Sequence, residues 1–151
     1  MKSFFRTRCP ITSALDLVGD KWSLVIVKQM LLEGRFTFKD FTEGDEGIAT
    51  NILSSRLKML EEFGVVQKLS MPNNKKSKLY VLTEKGLSLT PIIMELTFWS
   101  RDHLQDVHPN LNDEYDLTDI RKNKEETFAR VIERYRSQAK ELTDEELFMK
   151  Q

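Results

Sequence analysis

A mainly α-helical fold carrying one small β-hairpin is predicted by three features of this 151-residue sequence. Apolar residues recur at helical spacing through most of its length, from Ile11 to Val18 near the start and from Phe128 to Leu142 near the end. Only between residues 65 and 82 does the pattern change to short β-rich runs, interrupted by Pro72-Asn73-Asn74. With 40% hydrophobic and 31% charged residues, the chain has enough apolar material for one compact domain plus an appended helical element. Residues 1–105 are expected to form that domain and residues 106–151 a linker and an amphipathic helical extension.

The first helix is expected to begin at Cys9-Pro10, because proline is tolerated at the first helical position, and to stop at Gly19. Asp20 then caps a second helix. Trp22, Val25, Ile26 and Met30 on one side, with Leu24, Val27 and Leu31 on another, make it apolar almost all round, which suits the middle of a core. Thr37 and Asp40 have capping-box spacing, and Phe36 and Phe41 sit where a hydrophobic staple forms, so a short third helix spans about 38–42. After a turn at Glu43-Gly44-Asp45-Glu46-Gly47, the residues Ile52, Leu53, Leu57, Leu60 and Phe63 mark a fourth helix ending at Gly64. Its other face shows Thr50, Asn51, Ser54, Ser55 and Lys58, with no acid before Glu61.

Strands are expected at 65–69 and 78–82, around a loop at 72–77 whose Lys75 and Lys76, with Lys78 beside them, give the hairpin a basic tip. Thr83 caps the next helix, stapled by Leu82 and Leu87, with an apolar stripe of Leu89, Ile92, Ile93, Leu96 and Trp99. Pro91 should kink it unless it falls in an irregular first turn. The polar stretch 106–119 reads as a linker. The amphipathic helix that follows needs a surface to cover its apolar side, and Thr143 with Glu146 suggests one further capped turn.

Several functional classes are disfavoured. After the basic start of the chain, Thr12, Ser13 and Asp16 interrupt any signal-peptide core. The longest apolar stretch, Leu24 to Leu32, is broken by Lys28 and Gln29 and falls short of the roughly 20 residues of a membrane span. Cys9 is the single cysteine, so neither an internal disulfide nor a cysteine-rich zinc site is available, and a reducing, cytoplasmic setting is expected. His103 and His108 have no zinc-type companions. No phosphate-cradling glycine loop, nucleophile elbow or metal-ligand cluster is visible, so neither an enzyme nor a cofactor protein is expected.

The 23 basic and 24 acidic residues nearly cancel, to −1, but they are unevenly spread. Between Ala49 and Leu82 the cations Arg56, Lys58, Lys68, Lys75, Lys76 and Lys78 face only Glu61 and Glu62, whereas the chain after Asp102 is rich in acid. Small helices followed by a basic hairpin are the element order of a winged helix-turn-helix. In that arrangement the fourth helix enters the DNA major groove, where Thr50, Asn51, Ser54, Ser55, Arg56 and Lys58 read bases or hold phosphates. Arg56 lies near the buried side of the helix and could instead brace a carboxylate within the fold. Lys75, Lys76 and Lys78 of the wing hold the flanking backbone, with salt-dependent affinity.

The runs Cys9-Pro10, Gly19-Asp20-Lys21-Trp22, Arg35-Phe36, Leu53-Ser54-Ser55-Arg56-Leu57, Glu61-Glu62-Phe63-Gly64-Val65-Val66 and Leu82-Thr83-Glu84-Lys85-Gly86 resemble, in order and spacing, the HxlR-type regulators, relatives of MarR. Ala49 stands where those regulators usually carry a serine. The resemblance implies a homodimer assembled through the first and C-terminal helices, acting on double-stranded DNA at a near-palindromic operator as repressor or activator. It further implies that Cys9, matching a cysteine that senses oxidants or electrophiles in some members, is a redox-sensing candidate. Arg6, Arg8 and the helix N-terminus would favour its thiolate. The alternative is a winged-helix module that binds protein and has no use for the wing lysines.

Overall fold

The computed structural model describes residues 3–71, 74–111 and 117–149, without side chains at 74–75 and 144–149. Its elements are α1 (Pro10–Val18), α2 (Ser23–Glu33), α3 (Phe38–Thr42), α4 (Thr50–Glu62), β1 (Val66–Met71), β2 (Asn74–Leu82), α5 (Glu84–Leu87), α6 (Thr90–His103), α7 (Leu117–Lys122) and α8 (Lys124–Met149). The mainly helical class with a β-hairpin wing therefore holds. No described helix is long and apolar enough to cross a membrane.

The centre is α2, whose Ile26, Val27, Met30 and Leu31 are wholly buried. It touches α1, α4, α6, α8 and β2, which is why its sequence is apolar on nearly every side. Asp20 does serve its start, although the regular helix begins only at Ser23. One carboxylate oxygen accepts the N–H groups of Trp22 and Ser23, at 2.9 and 3.0 Å, and the other accepts the Ser23 hydroxyl. The capping box of α3 is complete: the Thr37 hydroxyl accepts the Asp40 N–H, and the Asp40 carboxylate accepts the N–H groups of Thr37 and Phe36. Burial alone would raise the Asp40 carboxyl pKa, but these donors outweigh it and hold the group below its usual range. Phe36 and Phe41 are both buried, as a staple requires.

The end of α4 is closed by residues from far along the chain. Gly64 takes a left-handed φ of 74°, and the Val65 N–H returns to the Leu60 carbonyl at 2.9 Å. Lys85 then donates to the Phe63 carbonyl at 2.8 Å and the Thr83 hydroxyl to that of Gly64 at 2.5 Å. The Leu82-Thr83-Glu84-Lys85-Gly86 run is thus a clasp on the fourth helix. Glycine is required at 86 because a Cβ there would collide with the Val65 carbonyl oxygen.

Four expectations are corrected. The strands are longer than 65–69 and 78–82, so Lys75, Lys76 and Ser77, read as loop, belong to β2; Pro72 and Asn73 of the expected loop lie outside the described residues. Leu89 to Trp99 is not one kinked helix with the turn at Thr83. Pro91 stands at the start of a separate helix, α6, where its missing N–H is harmless, and the Thr90 hydroxyl closes the break by donating to the Leu87 carbonyl at 2.7 Å. The linker read over 106–119 is helical from Leu117, and residues 112–116 lie outside the described set. At Thr143 no new turn begins: α8 continues to Met149, and the Thr143 hydroxyl donates back to the Ala139 carbonyl at 3.0 Å. The side chains of Glu146 and Leu147, read as part of that turn, are not among those described.

The surface that covers the apolar side of α8 is the chain's own core. Tyr135 is 1% exposed, its ring stacked on Phe36 with centroids 5.6 Å apart, and its hydroxyl oxygen accepts the Leu82 N–H at 2.7 Å. The Phe36 carbonyl accepts the Tyr80 N–H, also at 2.7 Å, beside a bridge between Thr37 and Leu79. The outer edge of β2 is therefore paired at Tyr80 and Leu82 by Phe36 and Tyr135, which covers that strand edge at the wing's base.

Candidate nucleic-acid interface

The face of α4 opposite Leu53, Leu57 and Leu60 is open to solvent. It displays Thr50, Asn51, Ser54, Ser55 and Lys58, all exposed, and the buried leucines set its rotation. Arg56 departs from this group. It is half-buried and turned back toward the α1–α2 junction, where its Nε lies 3.4 Å from an Asp20 oxygen in an ion pair that does not close into a hydrogen bond. Asp20 thus joins the start of α2 to α4. Its carboxyl, which burial would raise, is held low by the Ser23 hydroxyl, the Trp22 and Ser23 N–H groups and Arg56.

Beside this face lies an open cleft of about 850 Å³, between α3 with Thr50 on one side and the hairpin on the other. Its charged lining, among the described residues, is entirely cationic: Lys39, Lys68, Lys76 and Lys78. Antiparallel pairing sets Lys68 opposite Tyr80 and Ser70 opposite Lys78, and the Lys78 ammonium donates to the Ser70 hydroxyl at 2.8 Å. Lys75 lies in β2, with its side chain outside the described set. Sequence reasoning did not single out Lys39 or Lys68 for the site. Lys68 was visible as part of the basic middle, but Lys39 joins it only through the α3–hairpin packing.

The start of α4 is less well finished than its end. Ala49 is the N-cap, extended at φ −67°, ψ 142°, with no side chain to accept the first N–H groups. Ala49→Ser is expected to raise stability by about 1 kcal/mol, read as an increased urea midpoint at unchanged slope. An unmoved midpoint would mean those donors are already satisfied.

Cys9 is exposed at the N-cap of α1. The Thr12 N–H and hydroxyl, then the Ile11 N–H, hold its thiol below the usual pKa, an effect of the helix N-terminus. Arg6 does not contribute to this shift, because its side chain and N–H are both committed to Asp16.

The three-helix core, the exposed polar helix and the basic hairpin define a winged helix-turn-helix protein. Residues 17–108 match the family described as HxlR-like helix-turn-helix, and the chain belongs to that family of transcription regulators. Among its relatives, the HTH-type transcriptional regulator YodB of Bacillus subtilis is 35% identical over 95 residues, covering 62% of this chain and 84% of that protein. The solved reduced form of YodB superposes with a TM-score of 0.52 at 33% identity, over 71% of this chain and 100% of the other. YodB has also been solved bound to quinone and after diamide treatment. The redox regulator HypR in its reduced form gives a TM-score of 0.57 at 25% identity, over 67% and 99% of the two chains. The family match stops at residue 108, so α7 and α8 lie beyond it.

Proposed function

We propose that the protein works as a cytoplasmic homodimer that places α4 of each subunit in successive major grooves of a near-palindromic operator and acts by binding, without catalysis. The observation that carries this reading is the polar face of α4, free of acid up to Glu61, beside a cleft whose charges among the described residues are all lysines. Thr50, Asn51, Ser54, Ser55 and Lys58 would meet bases and nearby phosphates, and Lys75, Lys76 and Lys78 the flanking backbone, with Arg56 bracing α4 from within. Dimerisation is supported by uncovered apolar side chains on α1 and α6: Ile11, Leu15, Ile92 and Trp99 are 72, 54, 43 and 56% exposed.

Selection from a random duplex pool at two salt concentrations, with the mass in solution recorded, tests the reading. A two-fold symmetric motif bound by a dimer supports it. A well-folded protein that enriches nothing points to a protein-binding module. With the selected duplex, Lys76→Ala is expected to weaken all sequences alike and to flatten the slope of log K against log salt by about 1 per lost phosphate contact. An unchanged slope would remove Lys76 from the interface.

Cys9 is proposed as the sensing thiol, on its exposure, its lowered pKa and the quinone and diamide forms of YodB. Cys9→Ser is expected to bind DNA like the parent yet ignore quinones and diamide. A variant as responsive as the parent would exclude the thiol.

A further inference from the structure

Helix α8 lies outside the family match, yet it is fastened to the parts of the chain that surround the lysine-lined cleft. At its start the Lys124 ammonium meets Glu95 of α6 at 2.6 Å. Farther along, Tyr135 accepts the Leu82 N–H and Arg136 meets Glu84 at 2.9 Å. These two contacts bracket Thr83, where the hairpin ends and the clasp on α4 begins.

The cleft has α3 as one wall and the hairpin as the other, and the walls meet at Phe36 and Thr37. Phe36 is the joint between them. Its N–H donates to the Asp40 carboxylate that caps α3, its carbonyl takes the Tyr80 N–H of β2, and its ring lies on Tyr135. Tyr135 therefore stands behind the joint, its ring against Phe36 and its hydroxyl on the edge of β2. Two effects make this brace matter. A two-stranded hairpin is marginal by itself in water. Cations on opposite walls, Lys39 on α3 against Lys68, Lys76 and Lys78 on the hairpin, repel one another and favour an opened cleft. Lys39 meets a carboxylate, Glu43, only at 3.8 Å and with both side chains exposed, which offsets little of that repulsion.

We propose that Tyr135 is a positioning residue for DNA binding: by bracing Phe36 and Leu82 from behind, it sets the angle between the hairpin and α3, which makes α8 part of the DNA-binding unit. The effect on DNA rests on the DNA-binding reading above, whereas the setting of the hairpin does not, so the two are measured separately.

The decisive variant is Tyr135→Phe in the full chain, which keeps a ring on Phe36 and removes the hydroxyl from Leu82. Its control is Ile26→Val, in the buried core of α2 and outside the cleft lining, compared at urea concentrations that give both variants equal global stability. Without DNA, amide hydrogen exchange at Tyr80 and Leu82 is expected to be about tenfold faster in Tyr135→Phe than in the control, with the amides of α1 and α2 exchanging alike. No acceleration, or acceleration confined to Leu82, would reduce the contact to one local hydrogen bond and overturn the brace. With the selected duplex, Tyr135→Phe should lower affinity roughly fivefold, and Lys76→Ala should cost less in that background than in the parent, because a displaced wing no longer seats its lysines. An unchanged affinity, strictly additive losses, or a loss shared by Ile26→Val would overturn the positioning role. If no duplex is ever selected, the DNA-binding reading fails, and hydrogen exchange still decides whether α8 sets the hairpin.

Discussion

Replacing Tyr135 with alanine is expected to destabilise the protein by about 3–5 kcal/mol, the range for emptying the site of a buried aromatic side chain. That is a large part of the roughly 5–15 kcal/mol that holds a domain folded. The side chain is 1% exposed, stacks on Phe36 and accepts the Leu82 N–H, so its loss opens a void and leaves a strand-edge donor unpaired. Tyr135→Phe separates the two effects: the packing stays and the unpaired N–H remains, at about 1–3 kcal/mol. Burial also pushes the phenol pKa up to about 12, against the lesser opposing pull of the Leu82 N–H. The sign follows from the folded value lying above the unfolded one, near 10. Below about pH 10 the contribution is complete, and it is lost as pH rises toward 12, because the unfolded chain ionises first. Urea unfolding of the parent and both variants at neutral and alkaline pH measures all three quantities. An alanine variant with the parent's midpoint would show that α8 is not docked on the core.

The same residue shows what the sequence could and could not reveal. Tyr135 was legible as one member of an amphipathic stripe, which establishes a covered face but not what covers it; Phe36 and Leu82 lie far away in the chain. Local signals fared better. The Thr37–Asp40 box and the Phe36–Phe41 staple specify α3 almost to the residue, because every partner lies within five positions. The hairpin was underestimated because Lys75 to Ser77 lack the apolar alternation that marks a half-buried strand. They fall where the ladder is irregular, between the pairs Ser70–Lys78 and Met71–Asn74, so no partner across the hairpin imposes a pattern on them. Thr143 misled for a related reason: a hydroxyl that caps helix starts also fits inside a helix by bonding one turn back. On α4, helical spacing alone gave the exposed set Thr50, Asn51, Ser54, Ser55 and Lys58. It also put Arg56 near the buried side, but Asp20 as its partner came only with the packing of α4 against the start of α2.

Asn51→Asp is expected to lower operator affinity by roughly 30-fold to 10⁴-fold while leaving the fold intact or slightly firmer. Asn51 is exposed in the first turn of α4, and its side chain makes no hydrogen bond among those described. A carboxylate there faces the positive end of the helix dipole and should stabilise the helix by about 0.3–1 kcal/mol. On DNA the sign reverses. In the proposed contact, a side chain able to donate to and accept from a base edge would become one that only accepts, next to phosphates. A lost base contact is worth about 1–3 kcal/mol, and the proposed dimer would lose it twice, about 2–6 kcal/mol in all. Surface neutralisation elsewhere cannot imitate this pair of results, because it would weaken binding through the salt-dependent term without firming the helix. Fluorescence anisotropy with the selected duplex, alongside urea unfolding, gives both quantities. If Asn51→Asp bound that duplex as tightly as the parent, α4 would not be the element that reads DNA, and the lysine-lined cleft would have to be explained by a different partner.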